Sequence, residues 1–406
     1  MQSKAIDQTR RKINLLILAY IAFVALGMPI SLMGVAWPSL RADFSLPLDA
    51  VGLLFISSTV GYLISSTMIA RLISRFGIGV LLIFSSLLSA ISLIGYTVAP
   101  AWSVIIVLGA VGGFGGGLMD AGLNTYMAAE YNEGQMQWLH ASFGVGATLS
   151  PLLMTASLAL FASWRPAYIF VGILMIIMVI CFILTLPAWK RPKQLSTEAA
   201  ESEDTKRGLM DYRTSLWVTL LRVVTWLSIL MFLLYTGAEY TFGNWTYTLL
   251  TEGRGVSPQL AGLWAAGYWA TFTAGRVIAG IFAYRVRLTT LLLGGMVLSL
   301  IGAILFWWNP LELVSLLGIF LVGFAMAPIF PGLVSSTSER VGARYAGNTI
   351  GLQLGAAAIG GALIPSLAGT LAQRISLETI PVLLSASLFG VLILYLLSTR
   401  VKMTES

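Results

Sequence analysis

Residues 109–124, GAVGGFGGGLMDAGLN, lie inside an apolar run from 102 to about 128. About 20 consecutive apolar residues cross the hydrocarbon core of a bilayer as a helix, so this run predicts a membrane span. Gly109, Gly113 and Gly117 fall four apart, and small residues at that spacing admit a second helix backbone at close range. On the same side, one turn further, come Asp120 and then Asn124. A carboxylate inside a bilayer is costly and is tolerated where it faces protein or a water-filled cavity. The stretch therefore predicts a helix that packs tightly on one face and presents Asp120 to a polar cavity. An Asp120 that only ties helices together is the alternative.

The rest of the chain repeats the theme. Spans are expected near 13–37, 50–70, 79–99, 102–128, 137–160, 165–187, 217–247, 258–283, 288–308, 312–335, 343–372 and 378–399. Only 10% of the 406 residues are charged and mean hydropathy is +0.87, against about 25% charged in soluble domains. With no water to satisfy the backbone, such a chain must be a bundle of helices. The first apolar run is too long for the core of a cleaved leader. One cysteine, Cys181, excludes an internal disulfide, and a single histidine excludes the usual zinc sites. No metal, cofactor or nucleotide-binding GxxxxGK[ST] loop is expected. No nucleophile–base pair marks an enzyme.

The net charge of +7 does not point to nucleic acid, because of where the charges fall. Eighteen of the 24 Lys and Arg lie in the termini and in the connections on one side, and four lie on the other. The positive-inside rule then places both termini in the cytoplasm. The longest interruption, 188–216, is polar and charged in its middle and reads as a cytoplasmic linker; 197–207 can form a short amphipathic helix or a tether. It divides the chain into expected bundles 1–187 and 217–406. These look alike: GFGGG at 113–117 echoes GFAMA at 323–327, and Gly146 to Pro151 echoes Gly360 to Pro365. Arg75 after span 2 matches Arg285 after span 8, again 210 apart. Two similar six-span halves suit rocking about a central site. Spans 3, 6, 9 and 12 are almost purely apolar, which predicts an outer ring around an inner, more polar one.

Twelve spans, a six-plus-six duplication and a basic central linker resemble the major facilitator superfamily. ARLISRFG at 70–77 is similar to that superfamily's signature loop, with Ser74 where an Asp is usual. WLHASFGVG at 138–146, GAEYTFGNW at 237–245 and Gly275-Arg276 resemble its fucose-permease-like branch of sugar:proton symporters, which includes sodium-dependent glucose transporter relatives. The resemblance spans nearly the whole chain. It implies an all-α membrane protein, with twelve transmembrane helices in two pseudo-symmetric six-helix bundles. It also implies an acid in the N-terminal half for proton coupling, and the Asp120-xxx-Asn124 pair is similar to that position. The branch's acid in span 1 has no counterpart over 19–37.

A transporter works by differential binding in two conformations, so its candidates are intramembrane polar groups. Asp120, Glu239 and His140 are the expected proton-handling residues; the alternative for His140 is helix packing. Asn124, Glu239, Tyr240, Asn244, Trp245, Tyr268, Trp269 and Gln353 are the expected substrate contacts, since carboxylate, amide and aromatic groups together suit a polyhydroxylated or a cationic ligand. Arg276 can pair with Asp120 or snorkel to headgroups. Arg71, Arg75, Arg276, Glu339 and Arg340 are expected at gates. Pro151, Pro365, Pro328 and Pro331 should bend their helices.

The resulting expectation is a secondary transporter for a small polar solute, a sugar or sugar-like compound. It would be driven by protons (or sodium) and sit as a monomer in the inner membrane, with lipid as its other partner. An efflux transporter for amphiphilic drugs or lipids is the alternative reading. Ser150 and Leu152–Leu153 flank Pro151 in place of the glycines of drug antiporters, which argues against it.

Overall fold

The computed structural model describes residues 2–189, 214–282 and 286–405. Twelve long helices follow in order: α1 Gln2–Asp43, α2 Val51–Phe76, α3 Ile78–Val98, α4 Trp102–Glu130, α5 Glu133–Phe161, α6 Arg165–Thr185, α7 Val223–Thr248, α8 Pro258–Phe282, α9 Leu288–Trp308, α10 Glu312–Met326, α11 Ala343–Arg374 and α12 Thr379–Glu405. Among the described residues there is no strand. Among the described residues, eleven helical stretches are long and apolar enough to cross a membrane, α10 counting only together with the turn of helix that follows it, as Glu312–Ser335. The twelfth, α8, carries Trp264, Tyr268, Trp269, Thr271, Thr273 and Arg276, and these lower its apolarity. The middle of the expected linker, 190–213, and Arg285 lie outside the described residues.

The chain divides into two compact units, Met1–Leu46 with Leu53–Gln194, and Pro47–Gly52 with Leu195–Ser406. Each is built on the same plan. In the first, α1 packs on α5, and α3 on α4 and α6. In the second, α7 packs on α11, and α9 on α10 and α12. The glycines show why. A Cβ at Gly146 of α5 would overlap the Val24 carbonyl of α1, and one at Gly360 of α11 would overlap the Leu233 carbonyl of α7. Likewise a Cβ at Gly113 would overlap the Ser58 carbonyl, and one at Gly323 the Tyr268 carbonyl. Of the glycines singled out by spacing, Gly113 and Gly117 mark points where backbones touch, while Gly109 meets the side chains of Leu54, Ser57 and Ser58.

The far ends of the bundles are tied in matching places with the charges exchanged. Arg165, opening α6, donates to Asp43 at the end of α1 (2.7 Å), which also accepts from the Trp164 indole (2.9 Å). In the second unit Arg254, after α7, grips Glu378, before α12, through two bonds of 2.8 Å.

The prolines act less uniformly than expected. α5 runs unbroken through Pro151 and α11 through Pro365. Proline at 151 deprives the Ala147 carbonyl of its helical donor, and the Ser31 hydroxyl supplies a replacement at 2.6 Å. Span 10 does break: α10 stops at Met326, and a separate turn of helix, Ile329–Ser335, begins after Pro328. Span 7 also starts later than expected, at Val223, because Leu216–Leu220 forms its own short helix.

Candidate functional site

In the first unit the polar centre is Asp120. Asn124, one turn along α4, donates its amide to Asp120 Oδ1 at 2.8 Å and to the Asp120 carbonyl at 2.9 Å. The Tyr62 hydroxyl of α2 donates to Oδ2 at 2.5 Å. Both carboxylate oxygens are thus held, one from the same helix and one from a neighbour. The close α2–α4 approach at Gly113 and Gly117 brings Tyr62 within reach: a Cβ at Gly117 would press on the Tyr62 backbone. Asp120, Tyr62 and Asn124 are all half-buried, so the cluster is not sealed in protein. His140, half-buried on α5, meets the edge of Phe23 (centroids 6.0 Å apart). The hydrogen-bond partners of the Asp120 carboxylate are Tyr62 and Asn124.

In the second unit the centre is Glu239, buried on α7. Tyr235 lies one turn earlier on α7, and its hydroxyl donates to the Met326 carbonyl at 2.8 Å; Arg276 on α8 supplies a positive charge that acts on the Glu239 carboxylate. Arg276 itself lies over the Phe272 ring, 4.4 Å from its centroid. Around Glu239 stands an aromatic wall. Tyr268 stacks on Phe242 (4.7 Å) and donates to the Glu239 carbonyl at 3.3 Å, and Trp269 meets Tyr268 edge-on. Two buried polar atoms in this region have no protein partner: Asn244 Oδ1 and Trp269 Nε1. The Trp269 ring lies against Gly243, beside Asn244. Buried polar atoms are rarely left unpaired, and these two lie on the helices that carry Glu239 and Arg276.

The sequence pattern of the Major Facilitator Superfamily matches residues 19–365 and again 227–405. The chain belongs to the Major Facilitator Superfamily. It is 25% identical to bypass of stop codon protein 6 of Saccharomyces cerevisiae, over 89% of this chain and 78% of that one. It is 26% identical to human sodium-dependent glucose transporter 1 (90% and 75%). It is 22% identical to the glucose/mannose transporter GlcP of Bacillus subtilis (95% and 94%). Two solved structures share its fold at a TM-score of 0.74. One is a bacterial homolog of the human lysosomal transporter Spinster, inward-facing and occupied, 14% identical over 96% and 97% of the chains. The other is a D-xylose-proton symporter, 15% identical over 94% and 96%. The protein is a multi-pass membrane transporter of this superfamily, not an enzyme.

Other residues expected at the site of a facilitator-superfamily transporter lie in varied settings. Tyr240 is half-buried on α7. Trp245 is buried with its indole N–H spent on the Pro365 carbonyl (2.9 Å), so it binds α7 to α11. Gln353 is fully buried: its Oε1 accepts from Thr337 (3.1 Å) while its Nε2 has no acceptor. Arg340 is also buried, donating to the Leu333 carbonyl (2.6 Å) and to Ser228 (3.2 Å), and burial lowers its guanidinium to about 10. It therefore stays charged near neutral pH. Its neighbour Glu339 is exposed. Arg71 and Arg75 are exposed at the end of α2, with Arg75 over the Phe76 ring and the Ser74 hydroxyl donating to the Arg71 carbonyl. Gly77 closes that turn at φ 80°, a conformation open chiefly to glycine.

Sequence reasoning missed Tyr62 and Tyr235. Tyr235 was findable, since it precedes Glu239 by four residues and i, i+4 side chains meet on a helix. Tyr62 stands out only as a phenol in the apolar span 2.

Proposed function

We propose that this superfamily member moves a small polyhydroxylated solute, a sugar, by alternating access driven by a proton gradient. Its termini would lie in the cytoplasm, and it would work as a monomer in the inner membrane. The six-helix bundles 1–187 and 217–406 would be its moving parts. The observation that carries this is the setting of Glu239. A carboxylate, the free acceptor of Asn244 and the free donor of Trp269 lie among aromatic rings. Ring faces suit the C–H faces of a sugar, and unpaired polar atoms suit its hydroxyls. Relatives that carry glucose or mannose in their names support the same reading.

Asp120 is assigned the proton. Its two hydrogen bonds keep it in place, and it is only half-buried. Arg276 balances Glu239, and Arg71, Arg75, Glu339 and Arg340 are assigned to gates at the helix ends. A thermal-shift screen of the purified protein tests the substrate class, since a ligand that binds the folded state raises its apparent stability. Neutral monosaccharides should stabilise it and cationic amphiphiles should not. The reverse result would replace the sugar reading with efflux of amphiphiles.

A further inference from the structure

The Tyr235 hydroxyl has one proton and two candidate acceptors. The first is the carbonyl of Met326, to which it donates at 2.8 Å in this structure. Met326 is the last residue of α10, where carbonyls run out of helical donors. The chain then passes Pro328 before the separate helix Ile329–Ser335 begins. The second acceptor is the carboxylate of Glu239, one helical turn along α7 from Tyr235, where i and i+4 side chains are neighbours on the helix surface. A hydroxyl can accept as well as donate, but it donates only once. A carbonyl can only accept, so whatever holds Met326 must give a proton. A bare carboxylate can also only accept, and it competes for that same proton.

We propose that Tyr235 is a positioning residue that reports the state of Glu239 to the break in the tenth span. When Glu239 is an unoccupied carboxylate, it draws the Tyr235 proton and releases the Met326 carbonyl. When a sugar hydroxyl or a proton satisfies Glu239, Tyr235 returns its proton to Met326 and pins the end of α10 to α7. The structure shows the pinned arrangement. The aromatic packing fits this role. Phe330, just beyond the break, rests against Phe232 (5.1 Å) and Tyr235 (6.0 Å), so the hydroxyl can change partner while the ring stays seated. Both groups are buried. In a low-dielectric setting the loss of one such bond is felt strongly.

The inference deepens the proposed function and rests on it, since it takes Glu239 as the solute's partner. The test is hydrogen exchange over 327–336, with and without D-glucose, on the wild type, Tyr235→Phe and Glu239→Gln. In the wild type, D-glucose should slow exchange in this segment at least threefold or so. A glutamine at 239 can donate to the Tyr235 oxygen, so Glu239→Gln should be slow without sugar. Tyr235→Phe should be fast with or without it. In exchange assays with reconstituted protein, Tyr235→Phe should keep its half-saturation within about threefold while its maximal rate falls about tenfold or more, the signature of a residue that acts on the step and not on binding. A merely structural tyrosine would move both together or neither.

Tyr235→Phe exchanging at the wild-type rate, or Glu239→Gln without sugar matching the wild type without sugar, overturns the proposal. These results leave the sugar reading intact if wild-type protein still transports. A wild type that neither binds nor moves D-glucose overturns the reading beneath the inference, and the inference with it.

Discussion

The two bundles share a skeleton and differ in how their acids are held. Gly146 and Gly360 touch equivalent carbonyls, and so do Gly113 and Gly323. On that common frame, Asp120 of the first bundle has both oxygens engaged, by Tyr62 and Asn124. Glu239 of the second lies one turn from Tyr235, whose hydroxyl donates to the Met326 carbonyl instead, and α7 and α8 carry unpaired buried polar atoms. The fourth helix runs unbroken through its acid, while its counterpart, α10, stops at Met326. Position 330, which corresponds to 120 by the repeat of 210, is a phenylalanine. Two similar scaffolds thus hold their acids differently, and the proposed division of roles, proton at Asp120 and solute at Glu239, rests on that difference.

The largest effects should come from the shared skeleton. Gly146→Val and Gly360→Val each press a side chain into a neighbouring backbone carbonyl that has no room to yield. Either should abolish folded, monodisperse protein in size-exclusion chromatography, and by a similar degree. If one were tolerated, the equivalence of the two bundles would fail at that contact.

Next come the acids, where the bundles should part. Asp120→Asn should remove uphill uptake, by about a hundredfold or more on the scale of a lost essential proton carrier. It should leave exchange within about threefold of the wild type. Glu239→Gln should weaken sugar binding by about ten- to a hundredfold, the worth of about 1.5–3 kcal/mol for a hydrogen bond to a charged group. Isothermal titration checks the second, and gradient-driven uptake in liposomes checks the first.

Smaller still is the exchanged pair at the bundle ends. The Arg254 side chain is 6% exposed and bidentate, and that of Arg165 is 42% exposed. Arg254→Gln should therefore lower the melting temperature more than Arg165→Gln, since exposed pairs contribute little. The opposite order would mean the pairs are not equivalents. Of similar size is Ser31→Ala. It removes the replacement donor of the Ala147 carbonyl and should cost about 0.5–1.5 kcal/mol, the net worth of one hydrogen bond, readable as a shift in denaturation midpoint.

Much of this was legible in the chain because membrane helices are specified locally. Spans 9 and 10 have the bounds read from apolarity alone, 288–308 and 312–335. Glycine spacing located the backbone contacts, and the i, i+4 link of Asn124 to Asp120 follows from helix geometry. What lay hidden depends on neighbours distant in sequence. Nothing in span 2 announces that Tyr62 meets Asp120, 58 residues later. The prolines at 151 and 328 look alike in sequence, yet only the second marks a break. The difference is a hydroxyl from another helix, Ser31, that repairs the first. Trp245 looked like a stacking surface and is a helix tie, because Pro365 offers it a carbonyl.

The division of labour between the two acids is the central claim. The decisive measurement is counterflow and proton-driven accumulation of D-glucose in liposomes, run side by side for Asp120→Asn and Glu239→Gln. The expected result is an Asp120→Asn protein that exchanges sugar but cannot concentrate it, beside a Glu239→Gln protein impaired in both at low sugar. Accumulation by Asp120→Asn at the wild-type level would contradict the account, and so would a Glu239→Gln protein that exchanges with unchanged half-saturation.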